Sequence, residues 1–426
     1  MTERSPQSAS WICSQIGARE HYAVPRALHA QGALAGLVTD WYASRGGMLG
    51  LLRQQAWARA AQAARAEGIP DALVQSFPLR SLLWKWQIRR LAARGRLQEA
   101  FSRTDGAFAR ATARLKLPRH DLFFGYSYAS LETLAAEKKR GVKTVLDQID
   151  PGAWEFELVA EEMSRFPELA GPPPARSAGY YERNRQEWAL ADRVLVNSAF
   201  SRDALVKQGV PAEKLVVIPL CFETDGSQPK AEIRQRRPDR PLCVLFLGQV
   251  ILRKGIHYLI EAARLLEKEA VQFDVVGPIG ISQTAVERAP KNMTFHGRAT
   301  RDQTAGWYRQ SDLFILPTLS DGFAITQLEA MSYGLPVIAT GNCGEVVTDG
   351  VDGYIVPARA AAELAGAVRR HLDAPALLPA QSAAATLKAR EFTLERLAAN
   401  LRRLEAGLFP GAEPRGQGAS LSPSRV

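Results

Sequence analysis

The stretch that decides the fold runs from 313 to 340: Leu313-Phe314-Ile315-Leu316-Pro317-Thr318-Leu319-Ser320-Asp321-Gly322-Phe323-Ala324-Ile325-Thr326-Gln327-Leu328-Glu329-Ala330-Met331-Ser332-Tyr333-Gly334-Leu335-Pro336-Val337-Ile338-Ala339-Thr340. Its first four residues form a short, unbroken apolar run, the pattern of a parallel strand covered on both faces. A polar loop follows. The pattern then predicts a helix from about Ile325 to Tyr333, a breaker at Gly334 and a second strand over Pro336 to Ala339. At the carboxyl edge of a sheet, the loop Ser320-Asp321-Gly322-Phe323 would turn free backbone N–H groups and the positive end of the helix dipole toward a diphosphate. Gly322 lets a ligand approach the backbone. Asp321 and Glu329 flank the same point. Carboxylates accept hydrogen bonds from diols, so one suits sugar hydroxyls and the other a ribose.

Working outward, short apolar strands alternate with helical patterns on both sides of this unit, the mark of parallel α/β sheets. Toward the N-terminus, Leu242 to Leu247 begins a sheet, followed by a helix over Gly255 to Glu269 and strands at Phe273–Val276 and Met293–Phe295. A stretch rich in charge, Gly and Pro at 222–241 reads as a linker. Before it lie strands at Trp11–Cys13, Asp121–Gly125, Lys143–Leu146, Arg193–Asn197 and Leu215–Pro219, with a helix expected over Glu20 to Ala30. Residues 171–177 read as a breaker loop. Toward the C-terminus, 392–408 carries Leu394, Leu397, Leu401 and Leu404 on one side of an amphipathic helix. Residues 409–426 have little to bury and read as a disordered tail. The expected division is therefore 1–221, a linker at 222–241, 242–391, the helix 392–408 and the tail.

Composition narrows the classes. The chain has 426 residues, enough for two or three domains, with 46% hydrophobic and 23% charged residues, as in soluble globular proteins. It has no apolar run of membrane-spanning length, and its polar N-terminus lacks a signal-peptide core, so a cytoplasmic location is expected. Four scattered cysteines make no metal-ligand spacing and no disulfide framework. Cys13 and Cys243 read as small core residues in apolar strands. The net charge of +10 suits anionic lipid or a phosphorylated ligand. No nucleic-acid motif accompanies it. Within the basic helical region Pro70 to Pro118, the segment Ser81 to Lys116 interleaves Trp84, Trp86, Leu82, Leu83 and Ile88 with arginines. Two readings stand: a helix lying on an anionic bilayer at the inner face of the membrane, or one whose Trp and Leu side chains pack on their own domain.

The stretch from Pro317 to Thr340 resembles the nucleotide-sugar signature of glycosyltransferase family 4, the retaining group 1 glycosyltransferases of GT-B fold. That pattern is Glu-Gly-Phe-Gly, four residues, then Glu-Ala-Met-Ala-x-Gly-x-Pro-Val-Ile-Ala-Thr. The resemblance extends through Leu190 to Ser198, Gly209 to Leu215, Leu247 to Ala262 and Gly344 to Pro357, and covers most of 178–390. It implies a fold of two Rossmann-like domains whose parallel sheets face an inter-domain cleft. It also implies transfer of a sugar from a nucleotide-sugar, with retention, to a hydroxyl acceptor in the synthesis of a glycan, polysaccharide or glycolipid. The nucleotide-sugar is a substrate, and neither cofactor nor metal is expected. A sugar or lipid-linked molecule would be the acceptor, with peripheral contact to anionic membrane.

Carried over residue by residue, the resemblance makes Lys254 the diphosphate lysine. Arg253 beside it would cover for the family arginine, which is Gln249 here. Asp321 stands at the first acidic position, one methylene shorter than the usual Glu. Gly248, Gly322, Phe323, Ala324, Ile325 and Glu329 would line the donor. Gly17 would admit the donor phosphate from the opposite domain. The family's N-terminal His is missing after the strand 122–124. Tyr126, Ser127 or Tyr128 could supply a hydrogen bond instead, while His21 and His120 read as structural or exposed. Tyr126, Asp147 and Asp150 would face the acceptor. Two rival readings stand beside this one: another enzyme of the same fold, such as a sugar phosphorylase or epimerase, and a non-catalytic subunit that binds a partner enzyme.

Overall fold

The computed structural model describes residues 9–42, 68–169, 178–223 and 232–410. The breaker loop 171–177, part of the linker, and the tail beyond 410 lie outside the described residues. Two parallel sheets organise the chain. The first contains β1 (Trp11–Gln15), β2 (Leu34–Thr39), β3 (Val74–Ser76), β4 (Leu122–Tyr126), β5 (Lys143–Gln148), β6 (Arg193–Val196) and β7 (Leu215–Val217), in the order β3-β2-β1-β4-β5-β6-β7. The second contains β8 (Leu242–Leu247), β9 (Val271–Val276), β10 (Met293–Gly297), β11 (Leu313–Leu316), β12 (Val337–Thr340) and β13 (Gly353–Val356), in the order β10-β9-β8-β11-β12-β13. Central strands such as β1 and β11 are buried along their whole length, as sheets covered on both faces require. The strand order reverses between β1 and β4 in one sheet and between β8 and β11 in the other. In open α/β sheets the crevice outside the carboxyl ends at such a reversal is where ligands bind.

Among the described residues, two helices cross between the halves. Leu394–Leu408 starts at Thr393, whose hydroxyl caps it by accepting from the Arg396 N–H. Its Leu397, Leu401, Leu404 and Leu408 are buried with Trp11, Tyr22 and Leu28 of the N-terminal half. Glu405 fixes the register by accepting from the Trp11 indole N–H at 2.9 Å and the Ala9 N–H at 2.8 Å. Helix Ala153–Arg165 runs the other way. Its fully buried Glu162 meets His257 Nε2 at 2.9 Å, the Tyr258 hydroxyl at 3.0 Å and Arg359 Nε at 2.7 Å, all from the C-terminal half.

One local expectation fails for an identifiable reason, and one pair of readings divides. The helix expected over 20–30 begins only at Ala23, and Glu20, His21 and Tyr22 hold left-handed φ angles of 51°, 51° and 59°. Pro25 has no N–H to give the His21 carbonyl, so it fits only the first turn of a helix and a start at Glu20 is excluded. The tryptophan-rich segment also divides. Trp84 on helix Pro78–Ala92 is buried, edge-on to Phe77 and Phe108. Trp86, two residues on, points outward with Leu79, Leu82 and Leu83.

Candidate active site

At the reversal of the second sheet, two loops are fastened together. One follows β8. Gly248 N–H bonds the Val276 carbonyl at 2.9 Å, and the chain then makes a short turn over Leu252–Lys254. Gly255 closes it at φ 71°, and the Pro317 carbonyl occupies the place where a Cβ would stand, so only glycine fits. The other loop follows β11. Its Leu319 N–H and Thr318 hydroxyl both bond the Arg253 carbonyl, at 2.9 and 3.2 Å, and the Arg253 guanidinium returns a bond to the Ser320 carbonyl at 2.8 Å. This lacing brings Arg253, Lys254 and Asp321 together, with Lys254 Nζ ion-paired to the Asp321 carboxylate.

Both cations thus face acids. Arg253 lies 3.5 Å from Glu155, a residue of the N-terminal half that also accepts from the Ser320 hydroxyl at 2.7 Å. Burial pushes the Glu155 carboxyl above its ordinary range, with the Arg253 charge opposing. The loop after β11 presses on the N-terminal half a second time at Gly322, where the Ile149 carbonyl and Asn197 Nδ2 stand 2.8 and 2.9 Å from the site of a Cβ. A third bridge joins Glu345 to the Ala199 N–H at 3.0 Å, at the start of helix Ala199–Lys207.

The expectation of free N–H groups along 320–323 needs correcting at one position, with a second spent just beyond the span. The Asp321 N–H is spent on the Asn342 carbonyl at 2.9 Å, and that of Ala324 on the Cys343 carbonyl at 3.1 Å. Helix Ile325–Ser332 is nonetheless capped by Ala324, whose side chain offers no acceptor, so its first turn carries the dipole without a side-chain cap. Phe323 is buried against Phe392 with centroids 6.0 Å apart. One turn into the helix, Glu329 accepts from the Tyr308 hydroxyl at 2.8 Å. Tyr308 stacks on Tyr333, and burial holds its hydroxyl protonated well above the ordinary range, with the Glu329 charge adding to the effect. A cavity of about 500 Å³ lined by Arg234, Trp307 and Asp312 lies beside Cys243, at the amino end of β8 and β11 and so opposite the cleft edge.

On the N-terminal sheet, Gly17 follows β1 at φ 72° and gives its N–H to Asp40 at 2.7 Å. Tyr126 and Asp147 end β4 and β5 as register partners. Asp150 is drawn into its own turn. Its Oδ1 accepts from the Tyr128 hydroxyl at 2.8 Å, Gln148 Nε2 at 3.0 Å and the Gly152 N–H at 2.9 Å. His120 bonds Glu137 and the Pro118 carbonyl, before β4 rather than after it. Glu155, Ser320 and Glu345 escaped sequence reading. Ser320 and Glu345 lie inside stretches that carry the resemblance, whereas Glu155 sits in a segment without a motif and is placed only by the docking of its helix.

Residues 241–374 match the family model described as Glycosyl transferases group 1. Among curated proteins, the chain is 29% identical over 195 residues to a D-inositol 3-phosphate glycosyltransferase of Arthrobacter sp. (strain FB24), covering 43% of this chain and 46% of that protein. It is 29% identical over 236 residues to an alpha-D-kanosaminyltransferase of Streptomyces kanamyceticus, covering 51% and 60%. The chain spans about half the length of the curated relatives it matches. A solved lipopolysaccharide outer core galactosyltransferase superposes with TM-score 0.56 over 94% of this chain and all of the other, at 14% identity. The fold is therefore GT-B, with two parallel-sheet α/β domains.

Proposed function

We propose that this chain is a retaining glycosyltransferase that moves a sugar from a nucleotide-sugar to a hydroxyl acceptor in glycan, polysaccharide or glycolipid synthesis. The observation that carries the reading is the lacing of Arg253 and Lys254 to the Asp321 loop at the reversal of the C-terminal sheet. Two cations and an uncapped helix start converge where a diphosphate would leave, and electrostatic stabilisation of a leaving anion is a large lever on rate. Glu329, with Tyr308 behind it, is positioned to accept from a ribose. The sugar–oxygen bond to the diphosphate breaks while the acceptor oxygen bonds the same face, and the acceptor proton passes to a leaving phosphate oxygen. No protein base and no metal is required by this route. A donor must also draw Arg253 away from Glu155 and Lys254 away from Asp321.

A peripheral place on an anionic membrane, at its cytoplasmic side, belongs to the same proposal. Leu79, Leu82, Leu83 and Trp86 recur at i, i+3, i+4 and i+7 on one helix and are all exposed, with Arg90 over the Trp86 ring at 5.2 Å. Such a face suits the headgroup boundary. The pairing of both cations with carboxylates favours one second reading, a non-catalytic subunit. A thermal-shift panel of nucleotide-sugars followed by a turnover assay tests both. Donor stabilisation with product release supports the transferase, nucleotide binding without turnover supports the subunit, and no stabilisation by any nucleotide-sugar sinks both.

A further inference from the structure

The chain ahead of the second sheet carries arginines at 234, 236, 237 and 240, and three of them have different tasks. Arg236 gives its guanidinium to the Arg237 and Arg240 carbonyls and stays within the linker. Arg240 pairs bidentately with Asp312, at 2.9 and 2.7 Å, and so ties the linker to the residue before β11. Arg234 goes elsewhere. Its Nη1 donates to the Arg309 carbonyl at 2.6 Å, and its Nη2 to the carbonyls of Tyr308 and Tyr333 at 3.1 and 2.8 Å. These residues close the helices Arg301–Gln310 and Ile325–Ser332. The last carbonyls of a helix lack partners within it and carry its negative end, so one guanidinium suits both helices at once. The main chain is seated there as well. The Arg234 N–H donates to Ser382 Oγ at 2.8 Å, and that hydroxyl donates to the Gly334 carbonyl at 2.6 Å.

The side chains of the same two tyrosines lead to Glu329. Their rings stack with centroids 5.3 Å apart and planes 17° from parallel. Both are buried, and the Tyr308 hydroxyl donates to Glu329 Oε2 at 2.8 Å. A close-packed interior passes a displacement on instead of absorbing it. One linker side chain therefore holds the main chain of both stacked rings, and one of those rings holds the carboxylate. Attachment of the linker does not need this arrangement, since Arg240 and Ser382 already fasten it.

Resting on the reading of Glu329 as the ribose ligand, we infer that Arg234 is a positioning residue for donor binding. By gripping the Tyr308 and Tyr333 carbonyls it fixes the Tyr308 hydroxyl and so aims the Glu329 carboxylate at the ribose hydroxyls. The ribose lies away from the breaking bond, so this grip is equal in ground and transition states. Its loss raises KM for the donor and leaves kcat unchanged.

The test measures nucleotide binding to the full chain by calorimetry. The probes are UDP, GDP and their 2′,3′-dideoxy counterparts, which lack the hydroxyls that Glu329 would grip. The unmodified protein should bind one of the two ribose forms roughly tenfold or more tighter than its dideoxy counterpart, the worth of a hydrogen bond to a charged group. Arg234→Met should cut that preference about fivefold or more and leave affinity for the dideoxy form within about twofold. Arg236→Met should leave the preference as it is. In a Glu329→Gln background, Arg234→Met should add less than about twofold, because the carboxylate it aims is gone. If Arg234→Met does not fold, Arg234→Lys, which keeps the charge but not the planar fork, carries the same comparison with a loss of about twofold or more. Equal loss of both forms, an unchanged preference, or full additivity with Glu329→Gln overturns the inference and leaves Arg234 a structural clamp. The two levels separate. If Glu329→Gln abolishes the preference and the Arg234 variants do not, only the positioning role falls. If the unmodified protein shows no preference, or Glu329→Gln leaves it intact, the ribose reading falls and this inference with it.

Discussion

Arg253 and Lys254 are neighbours in the chain but answer to different halves of the molecule, Arg253 to Glu155 and Lys254 to Asp321. Lys254→Ala should lower the transfer rate constant by about 10²–10³-fold and leave the melting temperature nearly unchanged. Survival of turnover within a few-fold would place the diphosphate elsewhere. Arg253→Ala should cost both rate and stability, because its guanidinium and carbonyl also hold the loop after β11. At the proposed ribose position, Glu329→Gln should weaken nucleotide-sugar binding by about 1.5–3 kcal/mol, and Tyr308→Phe by about 0.5–1.5 kcal/mol. Calorimetry showing unchanged affinity for both would remove Glu329 from the donor site. Glu20 makes a prediction in pH. Its folded carboxyl titrates near 7 against an unfolded value of 4.5, so the folded state binds the extra proton and loses stability as pH rises through that window. Glu20→Gln removes the burden. It should raise the melting temperature at pH 8, by the equivalent of about 1 kcal/mol after allowing for its partial exposure, and change little at pH 5. An equal effect at both pH values would show that the carboxyl is not desolvated. Residues inside the 313–340 stretch were legible because their neighbours specify strand, loop and helix in one reading. Glu20 and Glu155 were not, because their roles depend on which strands lie side by side and on how one helix docks.

At the scale of elements, the strands and the helix Ile325–Ser332 were readable because apolar runs, breakers and caps are local. The one error came where a residue overrode the pattern, as at Pro25, and the open choice between packed and outward tryptophans was settled differently on the two sides of one helix, at Trp84 and Trp86. The outward face of Pro78–Ala92 should bind vesicles containing anionic lipid at low salt and release them as salt rises, since each basic group near such a surface contributes on the order of 1 kcal/mol, screened by ions. Trp86→Ala with Leu83→Ser should abolish co-sedimentation and leave the fold intact, because both side chains are exposed. Indifference of the unmodified protein to anionic vesicles at low salt would leave that face without a membrane role. Helix Ala153–Arg165 makes a contrasting prediction. Glu162 is fully buried among His257, Tyr258, Arg165 and Arg359, so Glu162→Ala strands those groups and should cost about 3–5 kcal/mol. Calorimetry should then resolve separate transitions for the two halves. A single transition at the original temperature would mean that the helix is not the coupling element.

For the whole molecule, the two reversals face one another through a gap already bridged by Glu155, Glu345 and the Ile149–Gly322 contact. Sequence patterns gave two sheets and a linker but could not reveal how tightly the halves meet, because those contacts join residues far apart in the chain. Helix Leu394–Leu408 has a further consequence, for the order in which the protein comes into being. It seals the apolar face formed by Trp11, Tyr22 and Leu28, yet the ribosome makes it only after the entire second sheet. During synthesis that face must wait, bare, while some 380 residues emerge, and the contact that finally covers it is about as non-local as the chain permits. The first half to be made is therefore the last to be finished. A nascent chain stalled before residue 394 would carry a completed second domain and a first one with its apolar face uncovered, a natural substrate for chaperones.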